Sequence, residues 1–205
     1  MRLLRKSRLQ LFLGVLFLSA FLLVIFSVVN NYFDGFDNTV DALITPEEGS
    51  LAFALFIGLT YLASTQVIVL LSAVLLLFLI YRKRYKKVLF FVFVLGGGAV
   101  IESLVKNIVH RARPLGALVD VSRYSFPSGH ALKAVLFFAL LIYLFLRNFK
   151  HDFSKYVFVF VCSVLILLIG FSRIYLHVHW TSDVLGGWLL GVAWFFFSVF
   201  VHEKF

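Results

Sequence analysis

The sequence predicts an all-α protein that crosses a membrane six times, with a short interfacial helical segment between the first and second transmembrane helices. Its 205 residues are 62% hydrophobic and 14% charged, and the mean hydropathy is +1.01. That composition leaves too little polar surface for a soluble domain. The apolar residues fall in separate runs of about 17 to 25, the length that a helix needs to cross roughly 30 Å of hydrocarbon. We expect a single integral-membrane domain over residues 1–205.

The positions of the basic residues predict the orientation of the chain. The formal charge of +9 could indicate either a nucleic-acid partner or the charge asymmetry of a membrane protein. The distribution of the 19 Lys and Arg residues distinguishes the two. Thirteen lie in alternate connections of the six-span plan: Arg2, Arg5, Lys6, Arg8, Arg82, Lys83, Arg84, Lys86, Lys87, Arg147, Lys150, Lys155 and Lys204. This positive-inside pattern places both termini in the cytoplasm, with the chain in the inner or plasma membrane, and argues against nucleic acid.

The other six basic residues lie on the opposite side, where topology gives them no reason to be. They are Lys106, Arg111, Arg113, Arg123, Lys133 and Arg173. We therefore expect these six basic residues to have a functional role on the outer side of the membrane.

The first span is predicted at about 9–29. A basic start followed by an apolar run also resembles a signal peptide. The run here has 21 residues and no convincing small-residue cleavage site, which favours a retained span.

The segment that follows is acidic and is predicted to lie outside. Residues 30–50 carry five acidic residues and no basic ones. One helical face of this segment carries Phe36, Val40, Leu43 and Ile44. Because Asp37 and Asp41 fall opposite that face, we expect a short helix lying in the interface and ended by Pro46.

The next apolar run, 51–80, has 30 residues and is longer than one upright span requires. Since Ser64 to Gln66 interrupt it, we expect an interfacial helix up to about Gly58 and a second span at about 59–80. The remaining spans are predicted at about 88–109, 131–146, 156–171 and 184–201.

Small residues predict close helix packing in two of these spans. Gly96 to Gly98 lie in the middle of the third span, where packing is a better explanation than phosphate binding. Gly187 and Gly191 have a close-packing spacing in the sixth span. Thr181 or Ser182 is predicted to cap that helix.

Two polar stretches, 106–130 and 172–183, contain the candidate catalytic and binding residues. An ionised side chain in the middle of a membrane costs about 2.5 to 3.5 kcal/mol on insertion scales, which makes each one a functional candidate. Lys106, Arg113 and Arg173 offer a point charge and two planar forks, which suit the oxygens of a phosphoryl group.

A helix start and two histidines complete the candidate site. Ser128 and the backbone amide of Gly129 can donate hydrogen bonds where a helix begins, a position that favours anions. Asp183 lies four residues after His179 and can fix the tautomer of that ring, which leaves the other nitrogen as a nucleophile or base. His130 can protonate a leaving oxygen.

Other polar residues have simpler interpretations. Arg111 and Arg123 are predicted to be interfacial anchors whose charged ends reach water. Glu102 is predicted to neutralise Lys106 or a neighbouring helix.

Two further histidines are interpreted as polar lining, namely His110 and His177. His177 and His179 could ligate zinc in principle, but no cluster of Cys, Asp or Glu completes a good metal site. We expect neither a metal nor another cofactor.

Three motifs in order resemble those of the type 2 phosphatidic-acid phosphatase family. They are Lys106 with Arg113-Pro114, then Pro127-Ser128-Gly129-His130, then Ser172-Arg173 with His179 and Asp183. Each lies at the outer end of a predicted span, and the resemblance covers the whole six-span plan.

The resemblance implies a metal-independent phosphatase that passes through a phosphohistidine. His179 would attack phosphorus with Asp183 orienting it, and His130 would protonate the leaving oxygen and later activate water. The phosphoryl oxygens would be held by Lys106, Arg113 and its neighbour Pro114, Ser128, Gly129 and Arg173.

The substrate class implied is the lipid phosphates, with undecaprenyl pyrophosphate, phosphatidylglycerol phosphate and phosphatidic acid as examples. The motif reads only the phosphate, so the choice among these lipids stays open, as does the oligomeric state. Two alternatives remain at this stage: a phosphoryl transferase acting on a lipid or sugar acceptor, and a non-catalytic binder or transporter of lipid phosphates.

Overall fold

The computed structural model describes residues 2–119, 121 and 124–204, with side chains from Ser7 onward. Within those residues the secondary structure is helical, with no strand. The helices are α1 (Arg2–Val29), α2 (Asp34–Leu43), α3 (Leu51–Leu62), α4 (Thr65–Tyr81), α5 (Tyr85–Val109), α6 (Gly129–Phe145, followed by a 3₁₀ turn Leu146–Asn148), α7 (Asp152–Tyr175) and α8 (Thr181–Lys204). Arg123 lies outside the described residues, so its predicted role as an anchor is not addressed.

Five of these helices are long and apolar enough to cross a membrane, namely α1, α5, α6, α7 and α8. The pair α3 and α4 passes the same test jointly and is bent by 51° at its break, so the described residues contain five candidate spans, or six if the bent pair is one span. The predicted class of all-α polytopic membrane protein is confirmed.

α1 and α8 pack side by side in opposite directions. Phe17 in α1 stacks on Phe196, late in α8, with 6.3 Å between ring centroids. One turn further along α1, Phe21 stacks on Phe126, whose ring lies against Gly186, early in α8. Both chain ends therefore lie at one end of the bundle. We call it the basic end, and the opposite end, with connections 110–128 and 176–180, the site end.

α6 occupies the centre of the bundle and contacts α5, α7 and α8. Most of its residues are buried, among them Leu132, Leu136 and Leu140. A helix that is apolar on all sides is stable only when other helices cover it. This central helix fixes the position of the residues in its first turns, where the candidate site begins.

Two predicted element boundaries were wrong. The second span breaks at Ala63 and Ser64 rather than after Gly58, because the Ser64 hydroxyl accepts a hydrogen bond from the Val67 amide and starts α4 there. α8, the helix of the predicted sixth span, begins at Thr181, and neither Thr181 nor Ser182 caps it as predicted. The Ser182 hydroxyl instead donates to a carboxylate of α2, and the Thr181 hydroxyl has no partner among the described residues.

The predicted short helix is observed as α2, and its acidic face packs against the start of α8. Asp37 is 2% exposed and faces the start of α8. The apolar residue Phe36 is exposed instead. The amphipathic pattern predicted the helix. It did not predict which face packs against the protein.

The predicted packing role of the glycines is confirmed where backbones approach. A Cβ on Gly187 would lie 2.5 Å from the carbonyl oxygen of Ser128, and one on Gly98 would lie 2.2 Å from a Leu136 methyl group. Nothing lies within 4 Å of a Cβ on Gly96. The helix positions therefore depend on Gly98 and Gly187 and not on Gly96.

We expect Gly187→Ala to destabilise the protein by about 1–3 kcal/mol, because the contacted atom is backbone and α8 must move away from α6. The matched control is Gly96→Ala, which should be neutral or slightly stabilising, since alanine has the better helix propensity. Thermal unfolding in detergent, followed by size-exclusion chromatography, measures both. Equal unfolding temperatures for the two variants would contradict the packing role of Gly187.

Candidate active site

A polar cavity of about 720 Å³ opens at the site end of the bundle. Its wall is formed by the break between α3 and α4, by α5, by the first turns of α6, by the end of α7 and by the loop after it. The charged and imidazole side chains on that wall are Glu102, Lys106, Arg113, His130, Lys133, Arg173 and His179. The motifs that are far apart in sequence thus meet around one space.

His179 is held in one orientation by its neighbours. It lies in the loop between α7 and α8 and is 2% exposed. Its Nδ1 lies 3.4 Å from Asp183 Oδ2, an oxygen that also accepts a hydrogen bond from the Trp180 amide at 2.9 Å. Nε2 lies 3.2 Å from Arg113 Nη1. With Nδ1 engaged by the carboxylate, Nε2 is the ring nitrogen available for chemistry in the cavity.

The surroundings of His179 keep its ring neutral. Burial, followed by the positive charges of Arg113, Arg173 and Lys106, lowers the pKa of His179 well below its ordinary value. A lowered pKa means that the ring stays unprotonated as the pH falls through the ordinary histidine range. The nucleophilic form is therefore the dominant one at neutral pH.

His130 supplies the second imidazole of the cavity. It is the second residue of α6, so the buried helix holds it on the cavity wall. His130 and His179 come from different elements and line the same space. The cavity therefore presents two imidazoles.

The three predicted cations lie on the same wall. The Lys106 ammonium lies 3.6 Å from Glu102 Oε1, as the sequence predicted, and 3.2 Å from the Tyr124 carbonyl oxygen. Arg113 donates to the carbonyl oxygens of Tyr124 at 3.3 Å and Val178 at 2.5 Å. These carbonyl contacts fix the two cations in place on the cavity wall.

Arg173 is positioned from the other side. It lies in the last turn of α7, is 4% exposed and donates to the Thr60 hydroxyl at the end of α3. Its Nε has no partner among the described residues. A buried donor of this kind is costly unless it meets an acceptor, and phosphoryl oxygens are good ones.

Three of the predicted phosphate-binding residues lie at the start of α6 or beside Arg113. Gly129 is on the cavity wall, and a Cβ there would lie 2.1 Å from Glu102 Oε1. Ser128 and Pro114 are buried but not on that wall. The Ser128 amide donates to the Asp183 carbonyl oxygen at 2.9 Å, and its hydroxyl has no partner among the described residues. Ser128 therefore ties α6 to α8 beneath the cavity.

Arg111 is not the surface anchor that the sequence predicted. Its side chain is 12% exposed and bridges two carboxylates: Nη1 lies 2.8 Å from Asp183 Oδ1, and Nη2 lies 2.8 Å from Asp37 Oδ2. It also donates to the Ser182 hydroxyl at 2.7 Å. Although burial alone would lower it, Asp183 and Asp37 raise the pKa of Arg111 above its ordinary value. Arg111 therefore fixes the carboxylate of Asp183, which in turn contacts the His179 ring.

α2 is docked on this bridge by further polar contacts. The Ser182 amide donates to Asp37 Oδ1 at 3.0 Å, and His177 Nδ1 lies 2.7 Å from Asp41 Oδ1. His177 therefore does not line the cavity, contrary to prediction. His110 does not line it either, because it is exposed and packs edge-on against Tyr124, with ring centroids 4.3 Å apart.

Metal ligands are not clustered in this region. Over residues 2–119, 121 and 124–204, no group of three or more His, Cys, Asp and Glu side chains could hold a metal ion. The two histidines considered as possible zinc ligands have different partners. His177 contacts Asp41, and His179 contacts Asp183.

A helical bundle with several transmembrane helices, and a cationic cavity that presents two imidazoles, defines a class of protein: a polytopic membrane protein whose cavity suits phosphate chemistry. Comparison with known proteins identifies the family. The model of the PAP2 superfamily matches residues 87–205, and the chain belongs to that superfamily.

The fold is similar to solved structures of the same kind. The crystal structure of the PAP2 type phosphatidylglycerolphosphate phosphatase from Bacillus subtilis superposes with a TM-score of 0.85 at 26% identity, over 94% of this chain and 97% of that one. Aquifex aeolicus LpxE superposes with a TM-score of 0.62 at 24% identity, over 78% of this chain and 93% of that one, and shows the fold alone.

Curated relatives match the chain over part of its length. Phosphatidylglycerophosphatase B of Bacillus subtilis is 34% identical over 116 residues, which is 55% of this chain and 57% of that protein. Human dolichyldiphosphatase 1 is 33% identical over 122 residues, 51% of each chain. The chain thus spans about half the length of these two relatives.

Proposed function

We propose that this chain is an integral membrane phosphatase that hydrolyses phosphomonoester or pyrophosphate groups of lipids through a phosphohistidine on His179. The observation that carries the proposal is the buried His179 ring. It is engaged at Nδ1 by Asp183, has Nε2 beside Arg113, and lines a cavity together with His130 and four cations. Undecaprenyl pyrophosphate, phosphatidylglycerol phosphate and phosphatidic acid are the substrates considered. The names of relatives that act on phosphatidylglycerophosphate and dolichyl diphosphate support this substrate class.

In the first chemical step, Nε2 of His179 attacks the phosphorus atom in line with the bond to the leaving oxygen. That bond breaks as the nitrogen–phosphorus bond forms, and His130 gives its proton to the leaving oxygen. Lys106, Arg113 and Arg173 stabilise the charge that spreads over the equatorial oxygens.

In the second step, water attacks the phosphohistidine. His130, now unprotonated, takes a proton from that water, the nitrogen–phosphorus bond breaks, and inorganic phosphate is released. Asp183 acts throughout by holding the His179 ring and stabilising the positive charge that it acquires. The guanidinium and ammonium groups supply the electrostatic stabilisation that a metal ion supplies in other phosphatases, so the reaction is proposed to need none.

We propose that the reaction takes place at the outer face of the inner or plasma membrane. Thirteen of the basic residues of the sequence belong to the basic end, where both termini lie, and the positive-inside rule puts that end in the cytoplasm. The site end carries the acidic helix α2.

The test is phosphate release by the detergent-purified protein in EDTA. The substrates are undecaprenyl pyrophosphate, phosphatidylglycerol phosphate, phosphatidic acid and a soluble phosphate ester, each with and without an added alcohol acceptor. We expect turnover of lipid substrates that EDTA does not reduce. A strict requirement for Mg²⁺ would overturn the metal-independent mechanism. Transfer to the acceptor without phosphate release would favour a phosphoryl transferase, and no turnover of any lipid would favour a binder or transporter.

A further inference from the structure

The cavity has a second polar region that the proposed mechanism does not use. It is formed by Lys133 in α6 and by Ser64, Thr65 and Gln66 at the break between α3 and α4. The Lys133 ammonium donates to the Thr65 hydroxyl at 2.8 Å. We call this region the Lys133 subsite. None of its residues belongs to the three motifs.

Lys133 forms no close ion pair with a carboxylate of the described residues. Across the described part of the chain, no Asp or Glu oxygen lies within 4.0 Å of its ammonium, whereas Lys106 has Glu102 at 3.6 Å. An ammonium in a membrane-embedded cavity is expensive, and such groups usually mark a path or site for an ion. The subsite therefore suits an anionic group.

The described residues on the cavity wall include more cations than carboxylates. The cations are Lys106, Arg113, Lys133 and Arg173, and the carboxylate is Glu102. These described side chains carry a formal charge of about +3. A phosphate monoester carries about −1.5 to −2 at neutral pH, so it leaves part of this charge unmatched.

The position of Lys133 relative to His130 indicates which part of a substrate it meets. The two residues are three positions apart on α6, so they are neighbours on one helix face. In an in-line reaction the leaving group departs on the side away from the nucleophile His179, towards the proton donor His130. The next group of the substrate beyond the leaving oxygen then lies beside Lys133.

We propose that the Lys133 subsite binds the second phosphate of a lipid diphosphate, and that it makes the protein prefer lipid diphosphates over lipid monophosphates. The inference rests on the proposed function and adds the substrate class within it. A diphosphate places one phosphate among the motif cations and the other against Lys133 and Thr65. A monophosphate has only a hydrocarbon or glycerol group to offer at that position.

The reaction balances with water as the only co-reactant. His179 bonds to the terminal phosphorus, and the bond from that phosphorus to the bridging oxygen breaks. The bridging oxygen leaves as part of a lipid monophosphate that Lys133 stabilises, with the proton from His130. Water then cleaves the nitrogen–phosphorus bond and gives inorganic phosphate.

The experiment compares farnesyl diphosphate with farnesyl monophosphate, which have the same chain, in wild type and Lys133→Met. We expect wild type to have the higher kcat/KM on the diphosphate. The substitution should lower that value about 10- to 100-fold, the loss of one or two charge-assisted hydrogen bonds, and should change the monophosphate value by about threefold at most. The matched control is Lys155→Met, which removes a half-buried lysine of α7 paired with Asp152 at the basic end. It should leave both values unchanged.

A second variant tests the same subsite independently of any folding defect in the first. Thr65→Val removes the hydroxyl that positions Lys133 and should lower only the diphosphate value, by a smaller factor. Equal losses on both substrates in folded variants, or a wild type that prefers the monophosphate, would overturn the subsite. A wild type that hydrolyses neither would overturn the phosphatase itself, whereas an unchanged substrate ratio in an active Lys133→Met removes only the subsite.

Discussion

Replacing His179 by alanine is expected to reduce phosphate release by about 10⁴-fold, a loss typical of removing a member of a catalytic triad. The variant lacks the nitrogen that is proposed to bond to phosphorus. His130 cannot substitute, because Asp183 orients His179 and not His130. Since the cations are retained, substrate binding should persist, and the loss should appear in kcat. Single-turnover phosphate release in detergent measures this effect.

The matched control is His110→Asn, which removes an imidazole at the same end of the bundle but outside the cavity. Asparagine tolerates the left-handed backbone at this position, where φ is 52°. We expect the control to keep its turnover. Equal phosphate release by His179→Ala and wild type would rule out a phosphohistidine on His179.

The spans and the principal residues of the cavity could be predicted from the sequence because both depend on the free-energy cost of placing a charge in hydrocarbon. Hydrocarbon excludes charge, so apolar runs mark the helices, and Lys106, Arg113 and Arg173 stand out at their ends. His130 and His179 were identified by the chemistry of the imidazole ring, and the motif resemblance then joined them with the three cations in one pattern. The structure brings all five to one cavity. Their assigned roles remain predictions that the kinetic experiments address.

The bridge through Arg111 could not be predicted in the same way. Its partners Asp37 and Asp183 lie 74 and 72 positions away in sequence, and no local spacing connects them. The helical period of α2 shows that its acidic residues share a face. It does not show that the face meets α8 and not water. A weak signal was present, because Arg111 has no topological reason to lie at that end.

Arg111→Met is the second variant with a large expected effect. It leaves Asp37 and Asp183 buried without their common cation, and breaking a buried ion pair on one side costs about 3–5 kcal/mol. Asp183 also loses a contact that fixes it, so His179 becomes less well oriented. We expect a clear drop in unfolding temperature together with a lower kcat. KM should change little, because Arg111 is not on the cavity wall.

Two further substitutions separate the structural effect of Arg111 from its effect on catalysis. Arg111→Lys keeps the charge but has a single ammonium, which cannot reproduce the fork that contacts both carboxylates, so it should recover little. Asp37→Asn in the Arg111→Met background removes one of the two orphaned charges. It should restore part of the stability without restoring kcat, since Asp183 remains unpaired.

The control for these variants is Arg82→Met, an exposed arginine at the basic end, which should leave stability and kcat unchanged. If the double variant regained kcat in proportion to its stability, Arg111 would act only as a structural residue. If stability returns while kcat stays low, Arg111 is a positioning residue for the Asp183–His179 pair. α2, which supplies Asp37, then belongs to the machinery that holds the nucleophile in place.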